Sequence, residues 1–507
     1  MSRRYWFFIA GVVLIITLST SIWLVFIGPV SKNEDSAANE IILKSESLRA
    51  VPIDAVGIMC YSSGSELYDS YISASSPISP YIDKGSLADS FTALMYKALR
   101  EPSDLRDSLL ICQPVISLHY SAKNDLSLLF SLRCNAGGDF ATKLISKAQS
   151  MWSLKEYNFE GMKITGGDGF WVSYSGGFLV YSTSRIVLES SLRHLSTQTS
   201  ILDNGEFKKI FDENSGARNM VALNSQNVGK LFSGLFDSQI WKYSEFFRNS
   251  GSWLILSGEG KKGEISFAGN IYNSKGLGAY SSIFKGVEPG KIDAPDILPS
   301  GTLGLFSISS SDFGRYLKNR ERYSASNKLA DSSQFIAYSD WFKSLKCAEV
   351  SAAYIDNGTS FEWITLLRCK NNITERDSSA SRALKVLFGE LYGRYNDEVV
   401  RRVGDWMILG SVESLKLVES SVSKDSTLGN YFRKEIPGRF HKNGGAVMYG
   451  FIGEELSSQF KDSFFNRRVN SFLSRSAKDS THSETIFFTL LPNEDLLRAE
   501  LHFVSQK

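Results

Sequence analysis

The cysteines are the side chains in this sequence whose spacing most clearly suggests chemistry. The chain has 507 residues and five cysteines; Cys112 and Cys134 are separated by 22 positions, and so are Cys347 and Cys369. Each pair encloses a pattern typical of a β-hairpin. Cysteines that face each other across antiparallel strands lie within disulfide range. The spacing therefore predicts the disulfides Cys112–Cys134 and Cys347–Cys369, with four buried thiols as the alternative.

The apolar pattern of the first hairpin agrees with a pairing of Cys112 with Cys134. The facing pairs are then Ile116 with Phe130, Leu118 with Leu128, and Tyr120 with Leu126. All of these are apolar and share one face, as a half-buried hairpin requires. The second hairpin fits less well, because Glu349 would share the face of Cys347, and a bulge or shifted register is expected there. Cys60 remains without a partner and is interpreted as a buried strand thiol.

No catalytic or metal-binding motif accompanies the cysteines. The five histidines are scattered and form no metal-ligand spacing, and His119 is interpreted as a satisfied structural or exposed histidine. The sequence contains no nucleophile elbow, phosphate-binding loop or dinucleotide fingerprint. Carboxylate pairs for glycoside hydrolysis need only spatial proximity, so a hydrolase stays open. The sequence assigns no catalytic residue, no cofactor and no metal, and it favours a non-enzymatic protein.

Residues 5–28 form an uncharged stretch of 24 positions, preceded by Arg3 and Arg4. A helix of that length crosses about 30 Å of hydrocarbon, and basic residues on its N-terminal side keep that end in the cytoplasm. A cleaved signal peptide would need a shorter apolar core and small residues at a cleavage site, which do not follow the stretch. We therefore expect a cytoplasmic tip at 1–4, a transmembrane signal-anchor at 5–28 and a juxtamembrane linker at 29–49.

Composition limits the classes of partner that fit the remaining chain. It is 43% hydrophobic and 22% charged, which is ordinary for a folded protein, and it carries 56 Lys and Arg against 54 Asp and Glu. A near-neutral balance gives no electrostatic signature of nucleic-acid binding.

The expected location, which follows from the N-terminal stretch, is the cytoplasmic (inner) membrane, with the bulk of the chain in the periplasm.

Two parts of the chain contain similar segments in the same order. The matched segments are 51–63 with 298–310, 116–134 with 350–369, 186–192 with 416–422, 205–210 with 430–435, and 253–272 with 486–504. Each match alone is short, but five in order indicate an internal duplication. The expected boundaries are a first repeat at 50–284, a linker at 285–297 rich in Pro and Gly, and a second repeat at 298–507.

Each repeat has the pattern of an α+β fold. Runs rich in β-branched and aromatic residues, such as 170–182, end in Gly, Ser or Asn and predict strands. The segment 86–99 places Leu87, Phe91, Leu94 and Ala98 on one helical face. Short connections between strands imply antiparallel sheets. The predicted architecture is therefore an N-terminal transmembrane helix followed by two tandem units of antiparallel sheet packed with helices.

The basic N-terminus, the aromatic-flanked anchor and the two hairpins ending in Leu-Arg-Cys resemble uncharacterised single-pass envelope proteins of Bacteroidota with a duplicated extracytoplasmic domain. That resemblance implies no activity and no functional residues. The expected function is a non-enzymatic binding or scaffold module of the cell envelope with an envelope protein or polymer as partner. The alternatives are an envelope hydrolase whose site forms only in three dimensions, and an apolar-ligand or lipid-binding protein that would need an apolar cavity.

Overall fold

A computed structural model describes most of the chain beyond the N-terminal segment. The described residues are 46–61, 87–99, 113–122, 125–134, 138–215, 219–227, 249–261, 264–328, 343–358, 361–371, 399–438, 440, 446–452, 484–493 and 496–505. The expected membrane anchor at 5–28 and Cys112 lie outside them. Among the helices that are described, none combines the length and the apolar character needed to span a membrane.

The chain divides into two compact units. The first unit comprises residues 1–231 and 255–265, and the second comprises residues 232–254 and 266–507. Each unit contains an antiparallel sheet and several helices, which confirms the predicted α+β class. The strands predicted at 170–182 and the helix predicted at 86–99 are also confirmed.

The described residues of the first unit up to residue 231 form eight strands and four α-helices. In chain order they are β1 (Gly57–Tyr61), α1 (Leu87–Leu99), β2 (Val115–Ala122), β3 (Asp125–Arg133), α2 (Gly138–Trp152), β4 (Lys155–Phe159), β5 (Met162–Gly167), β6 (Phe170–Ser175), β7 (Phe178–Ser182), α3 (Arg185–Thr197), α4 (Gly205–Glu213) and β8 (Asn219–Asn224). The pairings give the antiparallel order β4-β5-β6-β7-β3-β2-β1-β8. The boundary between the units falls within β9 (Trp253–Lys261) and β10 (Glu264–Tyr272).

Both faces of the first sheet are covered by helices. On one face Phe91 of α1 packs against Phe170 and Tyr181, with ring centroids 5.0 and 5.2 Å away. On the other face Leu188 of α3 belongs to the same buried cluster as Leu129. A strand between two helical layers must bury both its even and its odd positions. The polar positions that alternate with the apolar ones along β2 and β3 are therefore buried as well.

The second unit also combines an antiparallel sheet with helices. Its elements are β11 (Gly304–Ser309), α5 (Phe313–Ser326), β12 (Cys347–Asp356), β13 (Phe361–Cys369), β14 (Val399–Val403), β15 (Trp406–Gly410), α6 (Val412–Ser423), α7 (Leu428–Glu435), β16 (Ala446–Ile452), β17 (Glu484–Asn493) and β18 (Leu496–Ser505). The sheet order is β14-β15-β13-β12-β11-β16-β17-β18-β10.

The core of the second unit lies between its sheet and helices α6 and α7. Ile364 and Ile408 from the sheet pack in one buried cluster with Val418 and Phe432 from the helices. The segment 285–297, which was predicted to be a linker, contributes Ala294 to this cluster.

The two units share element order and pairing. In each unit the central strand pairs with the first strand of a hairpin and with the strand that follows the last described helix. In the first unit β1 pairs with β2 and β8, and in the second unit β11 pairs with β12 and β16. Isolated hydrogen bonds recur too: Ile201 N donates to Val51 O at 2.9 Å, and Leu428 N donates to Leu298 O at 2.8 Å. The hairpin of β4 with β5 has no counterpart among the described residues of the second unit.

The predicted hairpin registers agree with the structure. Ile116 pairs with Phe130, Leu118 with Leu128, and Tyr120 with Leu126, which confirms the register inferred from the apolar pattern. In the second unit Cys347 pairs with Cys369, and the register shifts between Cys347 and Glu349, where the bulge was expected.

Candidate functional site

The paired cysteines of the second unit lie at the end of the β12–β13 hairpin. Cys347 and Cys369 are directly opposite each other, both are buried, and their thiols are free in this structure. The proximity of Cys347 and the positive charge of Arg402 lower the pKa of Cys369, whereas the proximity of Cys369 and burial raise the pKa of Cys347. The Cys369 thiol donates to the carbonyl oxygen of Asn371 at 3.2 Å, and its lowered pKa makes it the more reactive cysteine of the pair.

The other two described cysteines, Cys60 and Cys134, do not face another described cysteine. Cys134 is buried and directs its thiol toward the carbonyl oxygen of Leu132 at 3.7 Å, while its predicted partner Cys112 lies outside the described residues. Cys60 is buried in β1, and burial raises its pKa to about 12. A thiol with so high a pKa is protonated at neutral pH and does not act as a nucleophile.

Glu349, adjacent to the bulge, accepts a dense set of hydrogen bonds that the sequence did not reveal. It is completely buried and accepts from the backbone N–H of Asp293 at 2.8 Å and of Ala294 at 3.1 Å, and from the hydroxyl of Ser307 at 2.8 Å. Burial raises its carboxyl pKa, and these donors oppose that shift. The carboxylate ties the segment before β11 to the sheet.

Arg368 completes the same network from β13. Its Nε lies 3.6 Å from Glu349 Oε2, and its guanidinium donates to Asp293 and, at 2.7 Å, to the carbonyl of Lys291. It also lies over Trp406, 5.9 Å from the ring centroid. In the first unit Arg133 lies over Phe178 in the same way, at 4.5 Å. In the sequence, the repeated Leu-Arg-Cys segment was the feature that could have identified Arg133 and Arg368 as equivalent residues.

A chain of hydrogen bonds in the first unit joins a serine, a histidine and an aspartate. The Ser117 hydroxyl lies 2.8 Å from His119 Nε2, and His119 Nδ1 lies 3.4 Å from Asp54 Oδ1. The bond with His119 lowers the pKa of Asp54. The residue types match those of a catalytic triad. However, Ser117 is only 1% exposed and the aspartate side chain is 70% exposed, so the nucleophile is the inaccessible member.

His119 is thus a structural histidine with hydrogen-bond partners, which agrees with one of the two interpretations made from the sequence. Its strand face is not exposed, however, because α3 covers that side of the sheet. Among the described residues no group of three or more His, Cys, Asp or Glu side chains could hold a metal ion.

A cavity of about 280 Å³ opens on the second unit between the end of β10, the following 3-10 turns and the start of β18. Pairing of β10 with β18 brings Ile271 close to Leu496 and Leu497. The chain then turns after Asn273, whose side chain bonds Lys275 N and Gly276 O, and Gly276 has a φ of +57° that favours glycine. The turns Gly276–Gly278 and Tyr280–Phe284 form the remaining wall.

The cavity combines an apolar side with two polar groups. Leu277 and Leu496 line it and are 53% and 37% exposed. Ser281 lines it and is only 7% exposed, and its hydroxyl has no hydrogen-bond partner. Lys285 supplies an exposed cation on the same wall. No sequence pattern pointed to these residues, because they come from distant segments.

Comparison with known proteins adds no family. No family model matches the chain, and no curated protein matches it. Among solved structures, a protein named TP0453 was matched in crystal form III with a TM-score of 0.23 and 10% identity, covering 75% of this chain and 99% of that one. Its crystal form I gives a TM-score of 0.20 and 8% identity, with 75% and 98% covered. TM-scores this low do not indicate a shared fold.

Proposed function

We propose that this chain is a membrane-anchored periplasmic protein that binds a component of the cell envelope without chemical turnover. The observation that carries the binding role is the cavity of the second unit, where Ser281 has a buried hydroxyl without a partner beside exposed leucines. Cavities lined by apolar side chains with a few polar groups are the usual sites of ligand binding, which favours a binding role for this one.

The location rests on the N-terminal sequence. Residues 5–28 are uncharged and long enough to cross the membrane, and Arg3 and Arg4 orient the span with the remaining chain outside the cytoplasm. The cysteine pair at Cys347 and Cys369 is compatible with an oxidising compartment, where cross-strand pairs form disulfides.

We also propose that the two units are copies of one ancestral domain. Their strand pairings correspond, and equivalent hydrogen bonds recur from Cys134 N to Gly177 O at 2.8 Å and from Cys369 N to Asp405 O at 3.1 Å. The units differ in their buried polar groups, because Ser307 of the Glu349 cluster corresponds to Cys60 in the first unit.

A topology experiment tests the location. Alkaline phosphatase fused to the C-terminus of the full chain is active only outside the cytoplasm, so the fusion should be active and should sediment with the inner membrane. Replacing Arg3 and Arg4 by glutamate should lower that activity, because the orientation signal is removed. Activity confined to a cytoplasmic reporter would contradict the proposal. Affinity capture of the tagged full chain from native envelopes then identifies the bound component.

A serine hydrolase is the second candidate, favoured by the hydrogen-bond chain of Ser117, His119 and Asp54. Its activity would require the sheet to open, because the Ser117 hydroxyl is buried. Treatment of the full chain with a fluorophosphonate probe decides between the candidates. Labelling that disappears in Ser117→Ala supports the hydrolase, and absence of labelling together with recovery of a bound envelope component supports the binding module.

A further inference from the structure

We propose that helix α5 of the second unit carries a docking surface for the anionic lipid head groups of the membrane that holds the chain. This surface, the basic face, consists of Arg315, Lys318 and Arg322. It is a second contact beyond the proposed ligand binding, and it rests on the proposed membrane anchoring.

The three cations of the basic face lie along one exposed side of α5. Their spacings of three and four residues place them within about 60° of the helix circumference, over a length of about 10 Å. All three side chains are exposed, whereas Tyr316 and Tyr323, on the side that faces the unit, are buried. A flat anionic surface can therefore contact all three cations at the same time.

No acidic side chain of the described residues neutralises the basic face. Within that part of the chain, no carboxylate lies within 4.0 Å of the cationic atoms of Arg315, Lys318 or Arg322. Asp312 instead caps the helix by accepting from Arg315 N at 3.1 Å, and Glu321 is partly buried on another side of the helix. Like charges three and four positions apart destabilise a helix. Because no ion pair offsets this cost, the pattern favours an external anion as the partner.

The packing around α5 holds the basic face in position. The guanidinium of Arg315 packs against Gly286, where an added Cβ would lie 2.5 Å from Nη2. Asn319, one turn further along α5, donates to the carbonyl oxygens of Ile283 at 3.0 Å and of Lys285 at 2.9 Å. A surface that is fixed before it binds loses little conformational entropy on docking.

The side chains of the basic face favour a lipid surface over a protein partner. Protein interfaces are built around apolar and aromatic anchors in a desolvated centre. The large apolar side chains of α5 are all buried: Phe313, Tyr316, Leu317 and Tyr323. An anionic bilayer attracts Lys and Arg by charge alone, with roughly a fivefold gain in partition per residue. Since the proposed anchor keeps the chain at the membrane, three such residues suffice for docking.

The test compares the full chain in nanodiscs of phosphatidylcholine and in nanodiscs that also contain phosphatidylglycerol. Lys318 is the reporter, because an amine docked on lipid is protected from a water-soluble N-hydroxysuccinimide ester. We expect acylation of Lys318, measured by mass spectrometry, to be at least about fivefold slower in the anionic nanodiscs. Salt at about 1 M should remove the difference, because it screens charges beyond about 3 Å. Lys209 on α4, whose side chain is 78% exposed, is the internal reference and should react equally in both nanodiscs.

Two double variants separate the basic face from the net charge of the chain. Arg315→Gln with Arg322→Gln should reduce the protection of Lys318 to less than about twofold, because two of the three cations are removed. The matched control, Lys143→Gln with Lys147→Gln, removes two exposed cations from α2 of the first unit and should leave the protection unchanged. Because all four side chains are exposed, these changes should not affect folding, which circular dichroism checks.

Equal acylation of Lys318 in the two kinds of nanodisc, an equal slowing at Lys209, or an equal loss of protection in the two double variants would overturn the docking proposal. Polyglutamate added to the phosphatidylcholine nanodiscs tests an acidic protein as the occupant. Protection of Lys318 by polyglutamate as strong as that by phosphatidylglycerol would contradict the assignment to lipid. Retention of the chain in the nanodiscs reports the anchor, and affinity capture reports the bound component. Failure of the proposed function is therefore distinguishable from failure of the basic face.

Discussion

Cys347 lies directly opposite Cys369 on neighbouring antiparallel strands, and both side chains are buried. The contact joins the two residues that the sequence paired by spacing alone. It also lies at a bulge, where the two strands change register between Cys347 and Glu349.

Oxidation of the purified chain should convert this contact into a disulfide. A cross-link that encloses about 22 residues should raise the free energy of unfolding by about 3 kcal/mol relative to the reduced protein. Peptide mapping without reductant identifies the bond, and urea unfolding with and without dithiothreitol measures its effect. Cys347→Ser should abolish both the disulfide and its effect on the free energy of unfolding. The prediction fails if Cys347 and Cys369 are freely alkylated in the native, unreduced protein.

Replacing the buried carboxylate of Glu349 should destabilise the second unit strongly. Glu349→Gln leaves an amide N–H₂ facing one of the two backbone N–H donors, Asp293 or Ala294, and removes the charge beside Arg368. Breaking a buried charged pair typically costs about 3 to 5 kcal/mol. Urea denaturation monitored by tryptophan fluorescence gives the value.

The matched control for that change is Glu419→Gln on α6, where the carboxylate pairs with Arg401 at 3.1 Å on the protein surface. Exposed pairs contribute less than about 1 kcal/mol. Equal effects of the two substitutions would show that the Glu349 network does not stabilise the unit.

Asp54 should titrate below its ordinary range because of His119. The folded pKa of this carboxyl is lowered from 3.8, first by the hydrogen bond with His119. A lowered pKa means that the contribution to stability is present above about pH 3.8 and is lost as the pH falls through the folded pKa. Carboxyl chemical shifts measured by NMR should show the Asp54 pKa rising toward 3.8 in His119→Gln. An unchanged titration in that variant would contradict the assignment.

Two glycine substitutions in the second unit should differ in effect. A Cβ at Gly410 would lie 2.7 Å from Ile364 Cγ2 in the core, whereas a Cβ at Gly301 meets nothing within 4 Å. Overpacking a core typically costs about 1 to 3 kcal/mol, so Gly410→Ala should lower the urea midpoint and Gly301→Ala should leave it within experimental error or raise it. A midpoint of Gly410→Ala that does not fall below that of Gly301→Ala would show that Ile364 moves aside without cost.

Much of the local structure could be predicted from the sequence. The pairing of Ile116 with Phe130 follows from alternation of apolar residues, because a shift by one residue would turn every side chain to the other face. The bulge near Glu349 was visible for the same reason, as a polar residue interrupting that alternation. Helix α1 was visible from the spacing of Phe91 and its apolar neighbours.

The burial of alternate positions could not be predicted. Ser117 and His119 lie on the strand face that the apolar pattern leaves polar, yet α3 covers that face and both side chains are buried. The sequence of β2 does not specify which helix packs on it, since that depends on contacts between residues far apart along the chain.

The sequence by itself determined the apolar N-terminal stretch, the strands and helices, the hairpin registers and the spacing of the cysteines, because these depend on residues close together in the chain. Only the tertiary structure decided that Glu349 meets Asp293 and that Ser281 shares a cavity with Leu496. Those neighbours are separated by 56 positions or more, and strand pairing and helix packing, which are properties of the whole chain, bring them together.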